Sequence, residues 1–156
     1  MNLGIILAVV GAVSAVIIAG IGSIAGVKLV GEIGAGVISE DPEKFGKILL
    51  LQALPGTQGV YGFLTAIMVM LKIGFLGGSA TTITTSVGLQ LLLACLPIVA
   101  NGLLSAIAQA KVAAAGVNIV AKQPAASGKA LVLAAMVETY AVLSLLASVL
   151  LINGIK

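Results

Sequence analysis

Four long apolar segments, separated by short connections, constrain this chain more than any other feature. They cover about residues 3–38, 45–73, 82–121 and 128–153. Because an α-helix rises about 1.5 Å per residue, roughly 20 apolar residues cross the ~30 Å hydrocarbon layer of a bilayer, and each segment is longer than that. With 60% hydrophobic and 8% charged residues, the chain has too little polar surface for a soluble globule. The sequence therefore predicts an all-α membrane protein with four transmembrane helices.

The lysines predict how these helices are oriented in the cell membrane. Polar connections at 39–44 and 122–127 join the first helix to the second and the third to the fourth, whereas the connection at 74–79 is nearly uncharged. Five of the eight lysines lie near the two polar connections: Lys44, Lys47, Lys111, Lys122 and Lys129. Since lysine and arginine are enriched on the cytoplasmic side of membrane proteins, we expect both polar connections in the cytoplasm and both termini on the opposite side.

The two halves of the chain repeat each other. A shift of 82 positions aligns them without a gap, and the matched pairs include Gly20/Gly102, Ser23/Ser105, Pro42/Pro124, Gly46/Gly128, Lys47/Lys129 and Thr57/Thr139. This pattern predicts one membrane domain over residues 1–156, built from duplicated helical hairpins at 3–74 and 82–154. Two hairpins that cross in the same direction are parallel repeats, related by an axis along the membrane normal, and further copies of such a unit can form a ring.

Glu138 is the one carboxylate that the sequence places deep in the membrane. It lies near the middle of the fourth segment, where Lys129 is the only other charged residue, at a depth of roughly 15 Å. An ionisable residue at such a depth indicates a functional site. In the repeat, Glu138 aligns with Gly56, so only one hairpin carries the acid.

Other polar residues are predicted at the same depth as Glu138. Gln58 and Gln109 lie about 13 and 12 residues from the cytoplasmic ends of their helices, compared with about 11 for Glu138, so all three are roughly 16–20 Å deep. Thr57 adds a hydroxyl, and Pro55 breaks a helical hydrogen bond and frees a carbonyl.

About five oxygen atoms therefore surround one negative charge, which fits a hard monovalent cation such as Na⁺ better than Ca²⁺ or Mg²⁺. If only a proton were carried, one hydrogen-bond partner would suffice, and two buried glutamines would cost free energy. Tyr61, one turn beyond Gln58, either donates its hydroxyl to the carboxylate or packs as an aromatic; the sequence leaves both interpretations open.

The sequence lacks the motifs that several classes of function require. It has no phosphate-binding loop of the P-loop type and no room for a folded soluble domain, so we expect that the chain is not itself an enzyme and that it holds no organic cofactor. No histidine and the single Cys95 argue against a zinc or transition-metal site. The net charge of +3 comes from lysines at the membrane boundary and does not predict nucleic-acid binding.

Three motifs, in this order, resemble a known family. They are Leu-Pro-Gly-Thr-Gln-Gly-Val-Tyr-Gly-Phe at 54–63, Ala-Gln-Ala-Lys-Val-Ala-Ala-Ala-Gly at 108–116 and Met-Val-Glu-Thr-Tyr-Ala at 136–141. Together they are similar to the proteolipid (c or K) subunits of bacterial V-type rotary ATPases, in particular the sodium-translocating ones. The resemblance implies a Na⁺ site whose ligands are the Leu54 backbone carbonyl, Thr57, Gln58, Gln109 and Glu138. It also implies that Tyr61 is a hydrogen-bonding neighbour of the carboxylate.

The same resemblance implies how the protein works. In that family, duplicated hairpins assemble into a homo-oligomeric rotor ring in the lipid membrane, with the first and third helices inside and the second and fourth outside. A stator membrane subunit supplies an arginine, and a central-stalk subunit sits on the cytoplasmic connections and is turned by ATP hydrolysis. Two alternatives stay open: the same rotor coupled to H⁺, and a small stand-alone four-helix cation transporter.

Overall fold

The computed structural model describes residues 2–78 and 82–156, and almost all of them are helical. The helices are α1 (Leu3–Glu40), α2 (Phe45–Ala53), α3 (Thr57–Lys72), α4 (Thr85–Lys122) and α5 (Ser127–Gly154), with single 3₁₀ turns at Pro42–Lys44, Leu54–Gly56, Phe75–Gly77 and Pro124–Ala126. Within the described residues, four helical stretches are long and apolar enough to cross a membrane; α2, the Leu54–Gly56 turn and α3 together form the second. The predicted all-α class with four spanning helices is confirmed.

The helix ends differ slightly from the predicted ones. α1 continues to Glu40, beyond the predicted end at residue 38, and ends where the Asp41 N–H donates to the Val37 carbonyl at 3.0 Å. α4 begins at Thr85 rather than at the predicted residue 82, because the Thr84 hydroxyl accepts a hydrogen bond from the Val87 N–H at 3.3 Å and caps the helix there. The predicted connection at 74–79 lies within the described residues as far as Gly78.

Glycines bring α1 and α4 into direct backbone contact along their length. A Cβ atom on Gly22 would lie 2.8 Å from the Leu103 Cα, and a Cβ on Gly11 would lie 2.8 Å from the Leu92 Cα. Neither distance leaves room for a methyl group, so these glycines set how closely the two helices approach. The α2–α3 span packs against α1, α5 packs against α4, and α3 also contacts α4 and α5.

Contacts at the two ends show that the hairpins run parallel. At one end, Lys44 Nζ donates to the Ala121 carbonyl at 3.0 Å, which ties the first polar connection to the end of α4. At the other end, Lys72 Nζ donates to the Ile155 carbonyl at 2.6 Å. Both polar connections therefore lie at one end of the bundle and both chain termini at the other, as the repeat predicts.

Candidate ion-binding site

A helix break at Pro55 positions the first groups of the site. Pro55 has no N–H to donate, and the chain passes through the 3₁₀ turn Leu54–Gly56, where the Thr57 N–H donates to the Leu54 carbonyl. The Thr57 hydroxyl oxygen also lies 2.9 Å from that carbonyl oxygen. Gly26 of α1 makes room for the break, since a Cβ there would lie 2.7 Å from the Pro55 Cβ. The turn thus places a backbone carbonyl beside a hydroxyl near the middle of the stretch Pro42–Lys72, the second of the four that could cross a membrane.

One oxygen of the Glu138 carboxylate contacts two hydroxyl groups of α3. Thr57 Oγ1 and Tyr61 Oη each lie 2.7 Å from Glu138 Oε1. A hydroxyl carries one hydrogen, so Thr57 donates at any moment either to the carboxylate or to the Leu54 carbonyl, whereas the Tyr61 hydroxyl donates to the carboxylate. Thr57 therefore connects the acid to the helix break.

The other carboxylate oxygen faces the two glutamine side chains. Gln109 Nε2 lies 2.8 Å and Gln58 Nε2 lies 3.3 Å from Glu138 Oε2. The glutamines also bond to each other, because Gln58 Nε2 donates to Gln109 Oε1 at 2.7 Å. Both are completely buried, at 0% exposure, so neither has water to replace these partners. The pair holds one amide oxygen and two amide nitrogens beside the acid.

The arrangement can stabilise a negative charge in an apolar surrounding. Four donors from α3 and α4 converge on the single carboxylate of α5, and hydrogen bonds to a charged group are about twice as strong as neutral ones. Glu138 itself is half-buried, so the site lies at the surface of the subunit rather than sealed within it. The described fold thus brings all the predicted side chains together, with the Leu54 carbonyl next to Thr57.

One contact at the site was not found by reasoning from the sequence. Gln109 Nε2 also lies 3.2 Å from the Ala134 carbonyl oxygen, which links α4 to α5. In the first hairpin, Gln52 Nε2 lies 3.4 Å from the Val27 carbonyl oxygen. The 82-residue shift aligns Val27 with Gln109 and Gln52 with Ala134, so both hairpins make the same bridge with the glutamine on opposite helices. This exchange leaves the first hairpin without a glutamine at the Gln109 position.

The repeat is also seen in the comparison with known families. The family model that describes the C subunit of ATP synthase matches the chain twice, at residues 10–69 and 92–151. The two matches lie 82 residues apart, which is the shift that aligns the two halves of the sequence. The chain belongs to the family of ATP synthase C subunits.

Two similar proteins are both K subunits of ATPases or ATP synthases. The V-type sodium ATPase subunit K of Enterococcus hirae is 46% identical over 151 residues, covering 97% of this chain and 93% of that protein. The A-type ATP synthase subunit K of Methanocaldococcus jannaschii is 42% identical over 151 residues, covering 97% of this chain and 64% of that protein. The resemblance to c and K proteolipid subunits is confirmed, and the chain is a multi-pass membrane protein of this type.

Proposed function

We propose that this chain is the ion-carrying subunit of a membrane rotor ring and that it moves Na⁺ across the membrane, coupled to ATP hydrolysis in other subunits of the complex. The observation that carries the proposal is the convergence of Thr57, Gln58, Tyr61 and Gln109 on the carboxylate of Glu138. The chain supplies the ion site and performs no catalysis, and it needs no organic cofactor.

The donor set favours Na⁺ as the transported ion. Glu138 supplies one negative charge, which neutralises one monovalent cation, and the Leu54 carbonyl, Thr57, Gln58 and Gln109 supply further oxygens. Each terminal amide exchanges its oxygen and nitrogen by a half-turn, so both glutamines can offer oxygen to a cation without a change in the backbone. The E. hirae relative, a sodium ATPase subunit, agrees with this choice.

The position of Glu138 supplies the mechanism. With a cation bound, the site is neutral and can face lipid; without it, the carboxylate is charged, and a central charge in a membrane helix costs about 2.5–3.5 kcal/mol or more. That cost keeps the emptied site at a stator subunit, where an arginine exchanges the ion. Because Glu138 is half-buried near the surface of α5, it can be reached from a stator without unfolding of the bundle.

The two ends of the helix bundle indicate where the central-stalk subunit binds. The connections at 39–44 and 122–127 lie at the same end of the bundle. Five of the eight lysines lie in or near them, and they are proposed to face the cytoplasm, where a central-stalk subunit binds them. Both termini then face the opposite side. Several copies of the chain form the ring, so each rotation presents one Glu138 after another to the stator.

Carbodiimide labelling of Glu138 tests the proposal. We expect Na⁺ to slow the labelling of purified rings, and choline at equal ionic strength to leave it unchanged, because a bound cation occupies the carboxylate. Glu138→Gln should abolish transport in the assembled complex while the ring still forms. Glu32→Gln is the matched control, since Glu32 lies in α1, is exposed and pairs with Lys28 at 3.6 Å rather than with any group of the ion site.

Each alternative predicts a different result. Labelling that responds to pH but is indifferent to Na⁺ at every pH would replace Na⁺ with H⁺ and leave the rotor in place. Cation transport by the chain reconstituted alone would instead support a stand-alone transporter. Transport that survives Glu138→Gln would remove the acid from the mechanism altogether.

A further inference from the structure

Two hydrogen bonds join α4 to α5, one on each side of Glu138 along the helix. On the side of the polar connections, Gln109 Nε2 lies 3.2 Å from the Ala134 carbonyl oxygen, four residues before the acid. On the side of the termini, Asn101 Nδ2 donates to Ser144 Oγ at 2.6 Å, six residues after the acid. Within the described residues, Asn101 and Ser144 hydrogen-bond to no side chain of the ion site, so any effect they have on it passes through the helices.

Only the hairpin that contains the acid has the Asn101–Ser144 hydrogen bond. The 82-residue shift aligns Asn101 with Ala19 and Ser144 with Gly62. These two residues of the first hairpin are close neighbours, since a Cβ on Gly62 would lie 2.9 Å from the Ala19 Cβ. Because small apolar residues suffice to pack the first hairpin at this level, packing alone does not require an amide and a hydroxyl in the second.

The hydrogen bonds lead from the side chain of α4 into the backbone of α5. Asn101 is exposed on α4, whereas Ser144 is buried at 4% exposure. The single hydrogen of the Ser144 hydroxyl is donated to the Tyr140 carbonyl at 2.8 Å, so the hydroxyl accepts from Asn101. An amide in a membrane-spanning helix costs free energy without a partner, and its partner here is bonded to the backbone two residues beyond Glu138.

Apolar contacts alone do not fix the rotation of α5 about its own axis. Its exposed side chains are large and apolar, among them Met136, Leu143 and Leu146, and its buried ones are small, such as Ala134 and Ala141. Because lipid tails are as apolar as these side chains, a membrane helix gains little from turning one apolar face inward. Hydrogen bonds between helices therefore contribute more to its orientation than they would in a soluble bundle.

Ser144 and Glu138 lie on different sides of α5. At 3.6 residues per turn, a separation of six residues places them about 120° apart around the helix. Ser144 meets Asn101 of α4, and Glu138 meets Gln109 and the side chains of α3. A rotation of α5 that turned the carboxylate away from these donors would also move Ser144 away from Asn101, so the bond favours the rotation in which the acid meets its donors.

We propose that Asn101 and Ser144 are positioning residues of the ion site, and that their hydrogen bond holds α5 in the rotation that binds the ion. The proposal rests on the ion site in the proposed function and adds two residues to it. Without the bond, α5 spends part of its time in other rotations, and the apparent affinity falls with the fraction that remains competent to bind. Hydrogen bonds between membrane helices are strong enough for a weakening of about threefold to tenfold.

A double-mutant cycle in purified rings tests the proposal. Asn101→Leu removes the donor at similar volume, Ser144→Ala removes the acceptor, and a third variant combines both changes. Each single change should raise the Na⁺ concentration that halves carbodiimide labelling of Glu138 by about threefold to tenfold. The double variant should shift it no further than the larger single shift, because the same bond is lost in all three.

Ser148→Ala is the matched control for the loss of a serine hydroxyl. Ser148 belongs to the same helix, is completely buried, and its hydroxyl has no hydrogen-bond partner in the part of the chain that the structure describes. Its replacement should leave the Na⁺ concentration at half-labelling unchanged. Native mass and thermal unfolding of every variant ring are measured alongside, because a residue that only packs would change ring stability and not Na⁺ binding.

Rings that unfold at lower temperature but keep the original Na⁺ value would overturn the positioning role and leave the rotor standing. Single shifts that multiply in the double variant, or an equal shift for Ser148→Ala, would do the same. If labelling of the unchanged ring ignores Na⁺, the proposed Na⁺ transport fails instead, and the cycle is read from the pH at half-maximal labelling. A shift of that pH for Asn101→Leu and Ser144→Ala but not for Ser148→Ala would support the positioning, and no shift would overturn it.

Discussion

The replacement Thr57→Val tests the ion site with the smallest change of shape. Valine keeps the branched side chain and removes the hydroxyl that lies 2.7 Å from Glu138 Oε1 and 2.9 Å from the Leu54 carbonyl oxygen. The hydrogen bond to Glu138 belongs to the ion-free site, so the affinity is lost because the hydroxyl oxygen no longer contacts the bound cation. We take this charge–dipole contact to be comparable to a hydrogen bond to a charged group, about 1.5–3 kcal/mol, and a tenfold change in affinity corresponds to about 1.4 kcal/mol. We therefore expect Na⁺ to bind about tenfold to a hundredfold more weakly, with the backbone of the site unchanged.

The assay is the Na⁺ concentration that halves the rate at which carbodiimide labels Glu138 in purified rings. Thr57→Ser keeps the hydroxyl and should stay close to the original value. Thr65→Val is a second control, because Thr65 is a buried threonine of the same helix whose hydroxyl donates to the Tyr61 carbonyl at 3.0 Å and does not contact Glu138. An unchanged value for Thr57→Val, or an equal shift for Thr65→Val, would refute the assignment of Thr57 as an ion ligand.

Two further substitutions test, in turn, a hydrogen bond at the ion site and the packing between helices. Tyr61→Phe removes the other hydroxyl that donates a hydrogen bond to Glu138 Oε1. Because this hydroxyl is not proposed as an ion ligand, we expect Na⁺ binding to weaken by only about 1 kcal/mol, or roughly fivefold, in the same labelling assay. A shift larger than that of Thr57→Val would contradict this division of roles. Gly62→Ala should lower the free energy of unfolding of the subunit by about 1–3 kcal/mol, because a Cβ at position 62 would lie 2.9 Å from the Ala19 Cβ. Gly46→Ala, with open space among the described residues, is the control, and equal stability of both variants would refute the packing argument.

Patterns along the chain were sufficient to predict the helices and which polar residues lie at the same level as the acid. Apolar runs longer than a bilayer is thick have few alternatives to helices, because every buried backbone group must be paired within its own segment. The depth of Glu138, Gln58 and Gln109 follows from counting residues along straight helices, so their shared level could be predicted. The start of α4 could not, because several threonines precede it and only the folded chain shows that Thr84 accepts the capping hydrogen bond.

The sequence could not assign the individual contacts of the acid. Depth along a helix says nothing about rotation around it, and so both interpretations of Tyr61 were open until the fold placed its hydroxyl 2.7 Å from Glu138 Oε1. The Ala134 carbonyl was missed because a backbone acceptor leaves no mark in the residue type.

By itself, the amino-acid sequence determined the four spans and the place of the acid along its span, because both depend on distance along a helix of fixed rise per residue. It also determined the duplication, because matching residues recur at a constant shift of 82 positions. Only the tertiary structure decided which side chains meet, because that depends on how closely α1 and α4 approach and on which faces of α3, α4 and α5 point toward one another. Glycines such as Gly22 set that approach, and the convergence on Glu138 is its consequence.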